Sequence, residues 1–514
     1  MLLGALALLA CALSMSAQSG RVVQFDSIDQ STRVTGEIIE FDGRTYLVRT
    51  PLGDLILDAD VVRCVGQSCP PETAIKSGYT IAGNPRLLTG LLPELMAQFA
   101  FEKGAELVRL SDGAGTIGFS LSTDIATAPL RVALLPSTAD EAIQAMAEGR
   151  ADFVLIDRSL TSRERNLIKL GGHGDVTANG NMRLLAFEPM HVIVAASNPV
   201  RSLNVSEIAE VFSSRIDDWG AFGRSSKRLT AHVALPADGA RAILTDQLLS
   251  QARRNPGLEL VPHPNERAVS DKVARDADAI GIVGSSAVRH ARSLPIESSC
   301  GLRLYAAPFA VKSGAYPYVA PVWAYKTDTL RLNSARDFWR FLGNATAAEA
   351  IALAGFTDNG ISMEPESAFA LRVLNSFRTE NSDVDPDDLR AIVHTLRGAR
   401  RLSTTLRFGA SALALTPQSE TALRALADAM QHPPLLGRKI VLAGFSDGIG
   451  APSRNASLSL AQAEQVRDAL RQMLPEEVAA AEIDVHGFGE ALPLLCDDTD
   501  QGRRMNKRVE VWVH

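Results

Sequence analysis

The chain has 514 residues, enough for three or four domains at about 150 residues each. Lys and Arg total 52 against 59 Asp and Glu, a net charge of −7, and aromatics are only 5%. This excludes a nucleic-acid binder built on bulk positive charge or on a stacking platform. Hydrophobic residues at 46% can fill more than one core. The cysteines, at 11, 64, 69, 300 and 496, are too few for a disulfide scaffold and lack zinc-ligand spacing.

Residues Leu2 to Leu13 form an apolar run broken only by Gly4. The run is too short to cross ~30 Å of hydrocarbon, and no later stretch is long enough. Followed by Ser14, Ser16 and Ala17, it reads as a secretory signal (1–17) cleaved near residue 17, although the first basic residue is Arg21. Leu8-Leu9-Ala10-Cys11 also reads as a lipobox, which would make Cys11 a lipid-anchored N-terminus. Plain cleavage is favoured because the segment before Cys11 is short and uncharged. Export implies an oxidising compartment, where Cys64 and Cys69 would close a local disulfide. The fates of Cys300 and Cys496 stay open.

Residues 21–70 read as a small β-module, a meander or barrel. Strands 33–41 and 45–50 flank Asp42-Gly43, a hairpin signal because both residues tolerate positive φ. From 77 to 355 strand, loop and helix alternate, which is α/β patterning. Strand 77–82 runs into Asn84, suited to an N-cap, and Pro85, suited to a first helical position. Leu88, Leu91, Leu92, Leu95, Met96 and Phe99 then make one apolar helical stripe. Strand 131–135 leads to Ser137 and to Thr138 and Glu141 at capping-box spacing, and Gly149 can end that helix. Strand 152–156 delivers Asp157, and strand 231–235 delivers Asp238-Gly239-Ala240-Arg241. Residues 356–399 read as a linker with helical pieces, broken at Asp383–Asp388. Residues 400–514 return to α/β patterning, with helices marked by Leu423, Leu426, Ala427 and Met430 and by Ala463, Val466 and Leu470. Val509, Val511 and Val513 mark a final strand.

Strand ends that open helix N-termini offer free N–H groups and a positive dipole end to anions. Four such junctions, at 83–87, 137–139, 157–159 and 238–241, are candidates for one site. Arg86 in a first helical turn is unfavourable beside the dipole unless an anion sits there.

Several segments carry a resemblance. They are Gly149-Arg150-Ala151-Asp152-Phe153, Phe187-Glu188-Pro189 through Asn198-Pro199-Val200, Ile216-Asp217-Asp218-Trp219, Ala279-Ile280-Gly281-Ile282, Ser313-Gly314-Ala315-Tyr316-Pro317 and Gly355-Phe356. Together they resemble the phosphate-type periplasmic substrate-binding proteins of ABC importers. The resemblance implies a type II periplasmic-binding-protein fold with two lobes, 77–196 with 281–355 and 197–280, on a two-strand hinge. It further implies a small oxyanion such as phosphate in the cleft, and an ABC permease as partner. Its ligand positions fall on Arg86, Leu87, Ser137 and Asp157, and on the loop Asp238, Gly239 and Arg241. That loop departs from the family's Ser-Gly-Thr. Losing two hydroxyl donors at ~1.5–3 kcal/mol each, and adding a carboxylate, should remove much phosphate affinity.

Gly444-Phe445-Ser446-Asp447, Asn455, Leu458-Ser459, Gln462, Gly487-Phe488-Gly489-Glu490, Gly502-Arg503 and Asn506-Lys507-Arg508-Val509-Glu510 resemble the OmpA-like peptidoglycan-binding domain. The resemblance implies a βαβαβ fold at 400–514 and a noncovalent grip on the peptide stem of the cell wall. A carboxylate there holds the diaminopimelate ammonium and an Arg holds a stem carboxylate. The implied wall-binding set is Asp447, Asn455, Leu458, Ser459, Gln462 and Arg508. Asp447 stands at the carboxylate position. Gln462 stands where the family has Arg, with Lys507 or Arg508 as compensating cations.

No HExxH, GxSxG or P-loop occurs, so neither an enzyme nor a cofactor or metal site is expected. Asp157 and Asp238 as a paired-carboxylate acid and base rank below a binding role. Two classes follow. One is a periplasmic solute receptor held at the cell wall or outer membrane. The other is an envelope structural or sensor protein whose lobes contact a protein partner.

Overall fold

The computed structural model of the chain describes residues 22–27, 32–41, 45–59, 61–70, 78–111, 115–123, 129–178, 180–235, 239–328, 330, 332–364, 366–376, 386–409, 413–475, 478 and 482–514. The expected signal with Cys11, the Asp42-Gly43 turn and Asp238 lie outside these residues. No described helix is long and apolar enough to cross a membrane.

The N-terminal module is an antiparallel sheet of five strands. Arg33–Phe41 pairs with Val22–Ser27 on one side and Thr45–Thr50 on the other, and Val62–Val65 returns to pair with Val22–Ser27. Val23, Phe25, Tyr46 and Val48 form its core, and Cys64 and Cys69 are bonded at its edge.

The middle of the chain is mixed α/β around one long sheet. Its pivot is the 13-residue strand Met182–Val194. The first part of that strand pairs with Val319–Lys326 and the last part with Ala279–Gly284. One strand therefore serves two lobes, and its near-continuous apolar run is what a strand covered on both faces requires. In the first lobe Gly78–Gly83 lies between Leu130–Pro136 and Phe153–Ile156, parallel to both. Parallel neighbours need crossovers, and the helix Ala139–Ala147 provides one. The stripe from Leu88 to Phe99 is buried as expected, but it is split into two helices, Pro85–Gly90 and Leu92–Glu102. Asn84 occupies the N-cap position without a side-chain cap bond, whereas Thr138 and Glu141 do form a reciprocal capping box.

The second lobe recruits more chain than the sequence assigned to it. Leu294, Ile296, Leu304, Val311, Tyr316 and Tyr318, grouped above with the first lobe, pack into the core of Ile208, Phe212, Trp219 and Leu248. The physical cause is strand pairing: Ile296–Glu297 adds in parallel to Leu203–Asn204.

The C-terminal domain is a sheet in the order Arg400–Arg407, Arg508–Val513, Ile440–Phe445, Ile483–Gly487. The helices Pro417–Ala429 and Pro452–Met473 cover it, with Leu423, Leu426, Val466 and Leu470 buried. The expected linker is mostly part of this domain. Leu389, Ile392 and Leu396 share a core with Val441, Phe445 and Trp512, and the Phe369 ring packs edge-on against Trp512. The domain is also stapled to the second lobe. Cys300 and Cys496 are bonded, Leu495 and Met505 enter the second lobe's core, and Arg407 donates to the carbonyls of Ser313 and Gly314.

Candidate binding sites

In the cleft, three of the four junctions expected to meet do so. Arg86, at the start of its short helix, reaches Asp157 at the end of strand Phe153–Ile156, with Nη2 3.5 Å from the carboxylate. The same Asp157 oxygen accepts the backbone N–H of Gly239 at 3.0 Å, from the opposite lobe. Gly239 has φ +54°, and a Cβ there would stand 2.8 Å from Arg86 Nε, so only glycine lets the loop lie against the guanidinium.

Arg86 also forms an ion pair with Glu188, whose side chain is 1% exposed on the pivot strand. Glu188 accepts from Ser286 Oγ as well. Glu266, at the start of helix Glu266–Ala274, accepts the N–H of Ala240 at 3.3 Å and of Gly284 at 2.8 Å. Three carboxylates thus take the groups an incoming anion would use: Asp157 and Glu188 on Arg86, Asp157 on the Gly239 N–H, Glu266 on the Ala240 N–H.

The remaining expected ligands are engaged elsewhere. Leu87 is fully buried and its N–H bonds the Asn84 carbonyl within the helical turn. Ser137 donates its hydroxyl to Leu135 O and its N–H to Gly83 O. Arg241 folds back onto the carbonyls of Ala234 and Leu235. Sequence reasoning missed Glu188 and Glu266. The signal for Glu188 was available: a lone acid within an apolar strand is almost always paired. Glu266 looks in sequence like an ordinary first-turn acid.

In the C-terminal domain, Asp447 follows strand Ile440–Phe445 and is 4% exposed. Lys507 Nζ lies 2.7 Å from its carboxylate, on a side chain that is 40% exposed. The helix Pro452–Met473 sets Asn455, Ser459 and Gln462 on its buried face, with Leu458 partly exposed. Asn455 donates to Glu490 at 2.7 Å, and Ser459 Oγ accepts the Gly489 N–H at 3.0 Å. These two residues hold the loop that follows strand Ile483–Gly487 beside Asp447, rather than capping the helix.

Gln462 is 1% exposed, and Arg508 has no exposed surface. Arg508 stacks on Phe445 and donates to Glu510, Asn506 O and Leu492 O. It is therefore an interior group and does not reach a wall peptide. Lys507 is the cation at the surface. Glu510 lies among Arg372, Arg401 and Arg508 at 2.7, 3.1 and 2.8 Å. Burial alone would raise its pKa, but the three guanidiniums outweigh that and hold it below the ordinary carboxylate range.

Two lobes on a shared pivot strand, with a cleft between strand ends, define a two-lobed binding fold. A family model for the PBP superfamily domain matches residues 76–341, more than half of the chain, and the chain belongs to that superfamily. A second model, for the OmpA family, matches residues 407–507, so the C-terminal unit is an OmpA domain.

Outer membrane porin F of Pseudomonas fluorescens is 31% identical over 113 residues, 22% of this chain and 33% of the relative. The peptidoglycan-binding protein ArfA of Mycobacterium tuberculosis is 28% identical over 127 residues, 25% of this chain and 36% of the relative. The chain spans about a third of the length of these curated relatives. Similar solved structures include an ABC-type phosphate transport receptor from Vibrio cholerae. It has a TM-score of 0.38 and 15% identity, over 54% of this chain and 99% of that one. A phosphate-binding protein from Stenotrophomonas maltophilia gives 0.37 and 12%, over 55% and 90%. The family assignment rests on the sequence models and not on these scores.

Proposed function

We propose that the protein is a cell-envelope binding protein of the periplasmic side, held to peptidoglycan by its OmpA domain. Its two-lobed domain takes a small oxyanion such as phosphate, weakly. The observation that carries this reading is the cleft itself: Arg86 and the Gly239 and Ala240 N–H groups converge from both lobes, yet internal carboxylates already occupy them. An entering oxyanion must displace Glu188 or Asp157 from Arg86, and the local charge of two carboxylates on one guanidinium opposes it. A permease that would receive the ligand belongs to the same proposal.

Calorimetry with inorganic phosphate on refolded, ligand-stripped protein tests the cleft. The expected result is weak binding in the wild type and binding about tenfold tighter in Glu188→Gln. Sub-micromolar affinity in the wild type overturns the occupied-cleft argument. Phosphate binding in neither protein overturns the receptor reading.

For the wall, Asp447 is the carboxylate proposed to take the stem ammonium, with Lys507 swinging off it to meet a stem carboxylate. Retention on purified sacculi that disappears in Asp447→Ala is the expected result; retention that survives the substitution sinks this assignment. A second reading, a sensor or structural protein whose lobes contact another protein, is favoured by the prior engagement of Arg86. Native mass spectrometry of periplasmic material separates the two: a bound small anion favours the receptor, and a stable protein partner without one favours the sensor.

A further inference from the structure

A cavity of about 400 Å³ opens where the OmpA domain docks on the second lobe and the pivot. Its walls are apolar over most of their area and include Phe187, Val311, Tyr316, Val319 and Met505. Two guanidiniums also line it, Arg407 and Arg504, and none of the described lining residues is acidic. Arg504 is exposed at the mouth and Arg407 lies deeper, donating only to the carbonyls of Ser313 and Gly314. Among the described residues neither arginine has an ion-pair partner.

The surrounding charge makes this arrangement more unusual. Behind the cavity wall, Arg372, Arg401 and Arg508 share Glu510, and Arg372 also approaches Glu364, at 3.9 Å. Counting Arg407, four guanidiniums stand against two carboxylates in one buried neighbourhood. Burial, with Arg401 adding to it, pulls the Arg407 pKa down to about 10, a sign that its charge is under-compensated. Buried charge without a counter-charge is costly, and a ligand that brings one is favoured there.

We infer that this interdomain cavity is a second ligand site, for a small amphipathic carboxylate whose apolar body fills the Phe187–Tyr316–Met505 chamber and whose carboxylate lies between Arg407 and Arg504. The volume falls within the range of small-molecule pockets, about 300–1,000 Å³. An inorganic oxyanion would leave the apolar walls unfilled, so this ligand class differs from the one proposed for the cleft. The site does not depend on that proposal, because no cleft residue lines it.

Isothermal titration of the full chain with sodium octanoate tests the site, with octanamide as the uncharged counterpart. Saturable binding of octanoate is expected. The Arg504→Gln variant, changed at an exposed position, should bind it about tenfold more weakly, and octanamide should bind the wild type more weakly by a similar factor. The site is refuted if octanoate fails to saturate at millimolar concentration. It is equally refuted if octanamide matches octanoate or if Arg504→Gln binds as the wild type does.

Discussion

The cleft and the interior of the OmpA domain are built from the same two groups in opposite proportion. In the cleft one guanidinium, Arg86, meets two carboxylates, Asp157 and Glu188. In the OmpA domain one carboxylate, Glu510, meets three guanidiniums. The surroundings decide what each ratio means. Arg86 and Asp157 each keep 13% of their side-chain surface exposed, and Asp157 also takes the Gly239 N–H of the opposite lobe, so a ligand or a lobe movement can rearrange them. Glu510 is fully buried between strands and the helix Glu366–Ser376, where rearrangement would require unfolding. An excess of acid at a movable site sets a threshold for binding. An excess of base in a fixed interior instead makes one carboxylate structurally indispensable.

The sharpest way to break this comparison is Glu510→Gln. It removes the counter-charge shared by Arg372, Arg401 and Arg508, and should cost the C-terminal domain about 3–5 kcal/mol. Hydrogen exchange in strand Arg508–Val513 reads the loss; protection equal to wild type would mean the cluster is not a lock. Next in size is the staple. Replacing Cys300 and Cys496 by Ser frees a link across a sequence separation of 196. Bridges of this kind typically contribute about 2–4 kcal/mol. Calorimetric unfolding should then divide into separate transitions for the binding lobes and the OmpA domain, whereas a single unchanged transition would show that the noncovalent interface suffices. Glu188→Gln should cost only about 1–2 kcal/mol, because Arg86 keeps Asp157 and the amide oxygen can still accept. A loss as large as that of Glu510→Gln would erase the distinction between the two regions.

Acid sharpens the same contrast with a smaller effect. Burial pulls His191 and His232 from 6.5 down to about 4, and lowers His263 as well. Between pH 6.5 and 4 the unfolded chain therefore binds more protons than the folded one. This part of the stability is complete above about 6.5 and is lost as pH falls toward 4. All three histidines lie on the pivot strand or on strands of the second lobe. Glu510 stays charged throughout this window. In the variant with Cys300 and Cys496 replaced by Ser, a thermal melt at pH 4.5 should show the transition of the binding lobes lowered by a few degrees and that of the OmpA domain unmoved. His232→Gln should reduce that drop; an equal drop without it would place the acid sensitivity elsewhere.

What could be read from the sequence was local. The stripe from Leu88 to Phe99, the Thr138–Glu141 capping box and the Val509–Val513 alternation each encode their element within a dozen residues, and each forms. The family motifs brought Arg86, Asp157 and Gly239 into view, and these three do meet in the fold. The pairing that gives these loops their chemistry was not readable. Glu188 meets Arg86, and Glu266 meets Ala240, only once separate stretches of chain have folded together within each lobe. Arg508 sits in a motif next to Lys507, yet Arg508 opens a strand buried along its whole length, whereas Lys507 ends the helix Asp500–Asn506 and stays at the surface. The stretch 356–399 looked like a tether because its apolar positions are sparse; their partners, Val441, Phe445 and Trp512, lie far along the chain.

The Cys300–Cys496 bond also has a mechanical meaning. It makes the second lobe and the OmpA domain one body, so whatever the OmpA domain grips becomes the frame against which the cleft opens. Force applied to the OmpA domain passes through sulfur into the second lobe and bypasses the chain between 356 and 399, so the link between these two bodies does not rest on the backbone alone.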